Sequence, residues 1–417
     1  MSRLREPRAA GPAVSRSFAS GKVLIAGPTG RAALLTAAEH AAFAAGLAEG
    51  DPLRDRLAAL GVVPGAADAE ALSRDEIESG LLNWAGPSTH VVLACARGEA
   101  MSPEAAKDAV DFAFSTPRPT LALEIVDEDG RGWAAAEFAI AYARRRAEWS
   151  GRGLALSFRT PAAPPREREA FLRGHGVAVR AALSADGAPD ASRIFSAARA
   201  RVVVGPSARE PGAWVDALSA AGVSGVEWVP SNAAARSLPA ARRYADFAAG
   251  ALSRLIDASA VSDLRDELAA GLLAGRPWEV PGVDLFETLA YAPDGAVYSS
   301  EEGWALADEE SDPTFRLGPA ATLRYQELPS LPLVPALATA LAREAQPLCA
   351  SCAYLSYCLI PPSAHFRAQG TLYGRLPDSP RCIAHMALLE VVFSRLTDEN
   401  CLKALEKWGV DISKFTC

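Results

Sequence analysis

Residues 89–114 read THVVLACARGEAMSPEAAKDAVDFAF. The apolar run from Thr89 to Cys95 has the length of a buried strand, and the residues from Ser102 onward have the pattern of a helix. Ser102 followed by Pro103 marks its start, because a hydroxyl there accepts an orphan backbone N–H and proline suits the first helical position. One strand feeding one helix is the unit, and the chain repeats it. TLALEIV (120–126) precedes WAAAEFAIAYARRRAEW (133–149), GLALSF (153–158) precedes PPREREAFLRGHG (164–176), and VAVRAALS (177–184) precedes ASRIFSAARA (191–200). RVVVGP (201–206) then precedes PGAWVDALSAAG (211–222), and GVEWVP (225–230) precedes AARRYADFAAGALSRLIDA (240–258). Short apolar strands alternating with helical patterns predict an α/β fold with a parallel sheet and crossover helices, here long enough for a barrel or a large part of one. In such a sheet the chemistry gathers at the C-terminal ends of the strands.

The rest of the 417-residue chain is organised around that barrel. Half its residues are hydrophobic and the mean hydropathy is +0.07, which describes a globular protein rather than a disordered one. A net charge of -8 argues against a nucleic acid as partner, since phosphate binding needs an excess of Lys and Arg. The basic run ARRRAEWSGR (143–152) reads as the solvated end of a helix. Residues 1–20 carry four arginines among small residues and no apolar core of signal-peptide length, so they read as a disordered start. No stretch is long and apolar enough to span a membrane. A cytoplasmic, reducing location is therefore expected, where clustered cysteines point to metal or redox chemistry rather than disulfides.

Residues 21–88 read as a small N-terminal α/β wing. KVLIAG (22–27) looks like a strand, RAALLTAAEHAAFAAG (31–46) and DPLRDRLAALGVV (51–63) like helices. Gly27, Gly30 and Ala33 form a G-x-x-G-x-x-A pattern that could cradle a phosphate at a helix N-terminus. The acid expected at the end of a second strand is instead Asp51, in the turn EGDP, which argues against a dinucleotide site.

After residue 275 the pattern changes. YAPDGAVYSS (291–300) reads as a hairpin, followed by DPTFRLG (312–318) and the proline-rich ELPSLPLVP (327–335). Then comes CASCAYLSYC, Cys349 to Cys358. With Cys382 it gives C-x2-C-x5-C-x23-C, four soft thiolates in a chain of only seven cysteines. Four thiolates suit a structural zinc ion or an iron-sulfur cluster, and spacing alone does not choose. Cys95, Cys401 and Cys417 stand alone. His365 and His385 flank Cys382 and read as surface or boundary histidines, with a His/Cys zinc set as the alternative.

Asp294-Gly295 with Val297-Tyr298 after it, Phe315-Arg316-Leu317-Gly318, the cysteine run, and Gln369-Gly370 with Gly374 before Cys382 form a recognisable series. Over roughly residues 280–395 it resembles the C-terminal SPASM-type region of radical S-adenosylmethionine peptide maturases, most closely the His-Xaa-Ser system maturases. The six strand-helix units extend the resemblance more weakly over most of the chain, and for them it implies a partial, degenerate (β/α)6 TIM-like barrel of radical SAM type over residues 89–275. The resemblance implies an auxiliary-cluster domain over 276–396, with Cys349, Cys352, Cys358 and Cys382 ligating one auxiliary [4Fe-4S] cluster. Pro362 stands where related modules often add a cysteine, and residues 280–348 hold none, so one auxiliary cluster is the most this module should carry.

The same resemblance exposes what is missing. The family starts its radical at C-x3-C-x2-C after the first barrel strand, and here VVLACARGEAMSPEAA (91–106) offers Cys95 alone. IVDEDGRG (125–132) replaces the glycine loop that receives the methionine amine, FRTPAAPP (158–165) lacks the expected polar position, and only Ser184 to Gly187 keep a Ser-x-Asp-Gly. Neither a radical cluster nor an S-adenosylmethionine site is expected, and no catalytic residue is assigned. Asp127, Glu128 and Asp129 could do acid-base work or hold a hard cation, but beside a glycine turn they read as a solvated loop. The expectation is a pseudoenzyme acting as partner, peptide-binding or electron-relay subunit beside an active radical SAM maturase and its ribosomally made precursor peptide. A zinc-stabilised scaffold and a barrel enzyme with other chemistry are the alternatives. Residues 397–417, which hold three of the five lysines, read as a variable C-terminal tail.

Overall fold

The computed structural model describes residues 14–27, 31–59, 87, 89–190, 194–274, 288–341, 346–358 and 360–415. Its frame is an 11-stranded sheet. Strands β4 (Thr89–Ala96), β6 (Thr120–Asp127), β7 (Gly153–Thr160), β8 (Val177–Ala185), β9 (Arg199–Val204), β10 (Gly225–Pro230) and the short β11 (Arg265–Asp266) lie side by side and parallel in chain order. The two-residue β5 (Glu99–Ala100) folds back on the end of β4. The expected hairpin is present as β12 (Thr288–Tyr291) and β13 (Ala296–Tyr298), followed by β14 (Arg316–Pro319). It does not form a sheet of its own. β12 pairs parallel with β4, and His90 Nδ1 lies 2.8 Å from the Tyr291 hydroxyl across that seam, so the main sheet runs through the 275/276 boundary.

Strand periodicity divides the sheet into two faces. Ile125, Phe158, Leu183, Val202 and Trp228 point to one, where the helices Pro103–Ser115, Trp133–Ser150, Arg166–Gly174, Pro211–Ala220 and Leu238–Ala258 bury them in continuous apolar cores. Ser102 caps the first of these helices as expected, its Oγ accepting from the Ala105 N–H at 3.1 Å. ASRIFSAARA is not a helix among its described residues: 194–198 are irregular between β8 and β9. Glu124, Arg159, Arg180, Arg201 and Glu227 alternate onto the opposite face.

The N-terminal segment is built differently from its expected form. Residues 14–17, assigned above to a disordered start, form β1 (Val14–Ser17), which pairs antiparallel with β2 (Val23–Ala26), and β2 with β3 (Ala32–Leu35). The G-x-x-G-x-x-A stretch therefore leads from strand to strand, and Ala33 sits in mid-strand rather than at a helix N-terminus, which removes the phosphate cradle; Gly30 lies outside the described residues. The helix starts only at Ala37, where Thr36 and Glu39 form a reciprocal capping box. This small sheet packs on the C-terminal region: Arg16 pairs with Glu390 at 2.6 Å, and Ser356 Oγ donates to Gly27 O at 3.2 Å.

The tail is not loose. Helix Glu399–Lys407 buries Cys401, Ala404 and Leu405, and Lys407 Nζ donates to the carbonyls of Ser259 (3.0 Å) and Ser262 (2.8 Å). Cys417 lies outside the described residues.

Candidate functional sites

The four clustered cysteines come together. Cys349 sits in the short helix Pro347–Ala350, and its carbonyl accepts from the Cys352 N–H at 3.0 Å, closing the tight C-x2-C turn. A 3-10 turn, Leu355–Tyr357, then carries the chain to Cys358. Cys382 arrives from the other side in the first turn of helix Pro380–Ser394, started by Ser379 and Pro380 in the same manner as Ser102 and Pro103. All four line one cavity of about 30 Å3, walled by Tyr354, Leu355, Ile360, Leu376, His385, Met386 and Leu389. Tyr354 and Tyr357 brace the loop by packing on Phe393, with ring centroids 5.6 and 4.9 Å away. Burial, and then the neighbouring Cys358, Cys352 and Cys349, push the Cys382 thiol up to about 12. Four thiolates in an apolar pocket need a compensating cation, so the donor set fits a thiophilic metal or cluster.

The two histidines are not surface residues. His385 is buried in the cavity wall, its Nδ1 4.0 Å from Cys358 Sγ. His365 is buried in helix Pro362–Gln369, and that burial lowers its imidazole to about 4.

The C-terminal end of β4 differs. Cys95 closes β4 and is fully buried, and its Sγ donates to Asp129 Oδ1 at 2.9 Å. Burial, followed by that bond, pushes this thiol up to about 12. Asp129 is held well below the usual carboxylate range, first by Arg131, whose Nε donates to it at 2.7 Å, and then by Cys95. Asp127 is buried rather than solvated, and its Oδ1 accepts from the N–H groups of Gly130 (3.0 Å) and Gly132 (3.1 Å).

A third feature was not found by sequence reasoning. Ser300 caps helix Glu301–Glu310, which lies over the polar face of the sheet. Glu301 pairs with Arg159 of β7 (2.9 Å) and Arg201 of β9 (2.7 Å), while Glu124 of β6 pairs with Arg180 of β8 (3.2 Å). Burial works against ionisation of Glu301, but the charges of Arg159 and Arg201 outweigh it and hold the carboxyl at about 2. At the other end of the helix, Glu309 accepts from the nearly buried Arg367 at 2.7 Å and pairs with Arg97 and Arg236. The signal was present as arginines at alternating positions in strands that otherwise read as apolar.

The basic run 143–152 is partly absorbed in packing: Arg144 Nε donates to His175 O (2.7 Å), Arg146 lies 3.3 Å from Asp111, and Arg152 donates to Phe114 O (2.8 Å). Among the described residues no helix is long and apolar enough to cross a membrane.

No family model and no curated protein matches this chain. Among solved structures, one described as native anSMEcpe with bound AdoMet superposes with a TM-score of 0.55, covering 75% of this chain and 99% of its own at 11% sequence identity. The fold is radical-SAM-like. At that identity the likeness concerns the fold, and the radical-SAM-like frame accounts for the parallel sheet and its outer helices.

Proposed function

We propose that this protein is a radical-SAM-like subunit that does not itself generate a radical. It holds one auxiliary [4Fe-4S] cluster through Cys349, Cys352, Cys358 and Cys382, and serves as partner, peptide-binding or electron-relay component beside an active radical SAM maturase acting on a ribosomally made peptide. The observation that carries this reading is the unequal distribution of thiols. Four line the C-terminal cavity, whereas the end of β4 offers Cys95 alone, tied to Asp129. One thiolate cannot replace the three that hold a radical-generating cluster.

The four thiols line one cavity and would suit zinc or a cluster; the resemblance of this module to auxiliary-cluster domains favours the cluster. A cluster bound there would supply a one-electron redox centre. The chain's residues contribute the four thiolates, the apolar wall that excludes water, and His385 beside Cys358.

Anaerobic reconstitution tests the reading. Brown colour with iron and acid-labile sulfide for one cluster is expected. Stoichiometric zinc without iron or sulfide would favour a zinc-stabilised scaffold instead.

A further inference from the structure

The end of β4 carries more than a missing motif. Cys95, Asp127 and Asp129 each present one ligand atom, and the three atoms lie within 4.8 Å of one another. They come from the C-terminal ends of two adjacent strands and the loop between 127 and 132. That loop is pressed onto β4: Glu128 N donates to Cys95 O at 3.0 Å, and a Cβ on Gly132 would stand 2.6 Å from the Ala94 carbonyl, so no side chain fits there. Asp127 is 1% exposed, and the two glycine N–H groups engage only its Oδ1. Its Oδ2 is buried with no hydrogen-bond partner. A buried carboxylate oxygen left unmatched costs about 1–3 kcal/mol, more when charged, unless something cationic meets it.

We propose that Cys95, Asp127 and Asp129 form a mononuclear site for a divalent cation of the zinc class. One thiolate and two carboxylates suit a borderline-soft ion better than calcium or magnesium, which prefer oxygen alone. With Cys95 deprotonated on binding, the three negative charges meet the dication and the Arg131 guanidinium, leaving the set neutral. Three protein ligands leave a fourth position open to water or substrate, as in catalytic zinc sites. Asp129 keeps 31% of its side-chain exposure, so the site can be reached from solvent. The end of β4 would thus hold a single ion where the family resemblance implies a cluster.

The test uses the full chain, stripped with chelator, equilibrated with Zn2+, desalted and assayed for zinc, with Co2+ as a spectroscopic probe in parallel. The C-terminal cysteines are left intact in every sample. Native protein is expected to retain one more equivalent of zinc than Cys95→Ser and than Asp127→Asn, and to show a Co2+–thiolate band that Cys95→Ser reduces. Both changes keep the side-chain shape, and melting of the chelated proteins checks the fold. If either fails to fold, Asp129→Asn, at a partly exposed side chain, gives the same readout. Equal zinc in native protein and the folded variants would overturn the proposal, as would loss of the equivalent in Cys95→Ser but not in Asp127→Asn.

Discussion

Two ends of this molecule carry cysteine, and they are built by opposite means. Around the C-terminal cavity, four thiols converge from a tight turn, a 3-10 turn and a helix start, inside a wall of apolar and aromatic side chains. At the end of β4, one thiol is held by carboxylates and an arginine in a tightly hydrogen-bonded loop. On the proposed reading, the first arrangement draws part of its stability from a bound metal. The second is already satisfied by protein hydrogen bonds at all but one oxygen, so its loop should fold without an ion. On that reading, a radical-SAM-like frame carries a metal-binding module at one end and a different donor set at the end of β4.

The contrast breaks most readily at the cysteines. Cys352→Ser should abolish cluster binding and destabilise the C-terminal region severely, since metal binding contributes on the order of 10 kcal/mol in small structural metal modules. Cys95→Ser should leave iron content unchanged. Iron analysis and thermal melting of the two variants check both statements, and unchanged iron in Cys352→Ser would remove that residue from the site.

The charged helix that joins the two ends gives the next effect. Arg367 is nearly buried, with Glu309 at 2.7 Å and Glu302 at 3.3 Å. Arg367→Ala should cost about 3–5 kcal/mol by stranding the carboxylates, measured by denaturant unfolding. Acid should act on the same clamp. Glu301 and Glu309 are each held near 2 against an ordinary 4.5, by Arg159 and Arg201 in one case and chiefly by Arg367 and Arg97 in the other, in both cases against the opposing effect of burial. A depressed carboxyl contributes stability that is complete above its unfolded value and is lost as the pH falls through its folded value. Unfolding free energy should therefore decline between about pH 4.5 and pH 2, by up to a few kcal/mol per group, and Glu301→Gln should flatten that decline. The smallest effect is at the helix cap after β4: Ser102→Ala should cost about 1 kcal/mol without touching metal content at either end.

What could be read from the sequence follows from how local each signal is. The strand-helix alternation and the Ser-Pro helix start at 102 depend on neighbours in the chain, and the structure contains them. ASRIFSAARA misled because its small and apolar residues fit a helical pattern that the connection from β8 to β9 does not use. RAALLTAAEHAAFAAG misled because its first residues pair with β2, a contact that helix propensity cannot register. The gathering of Cys349, Cys352 and Cys358 was legible from spacing, and Cys382 from count. The burial of His385, the clamp on Glu301 and the approach of Asp127 to Cys95 all depend on partners at least 27 positions away in the chain, from Cys358 to His385 at the nearest. The alternating arginines mark polar positions in the strands, but no local pattern names the partner in such contacts.

The most direct test of the account is incubation of the anaerobically reconstituted protein with dithionite and S-adenosylmethionine. With one cluster at the C-terminal cysteines and a single thiol at β4, 5'-deoxyadenosine should not rise above a protein-free control. Its release at a level that tracks protein concentration would contradict the account.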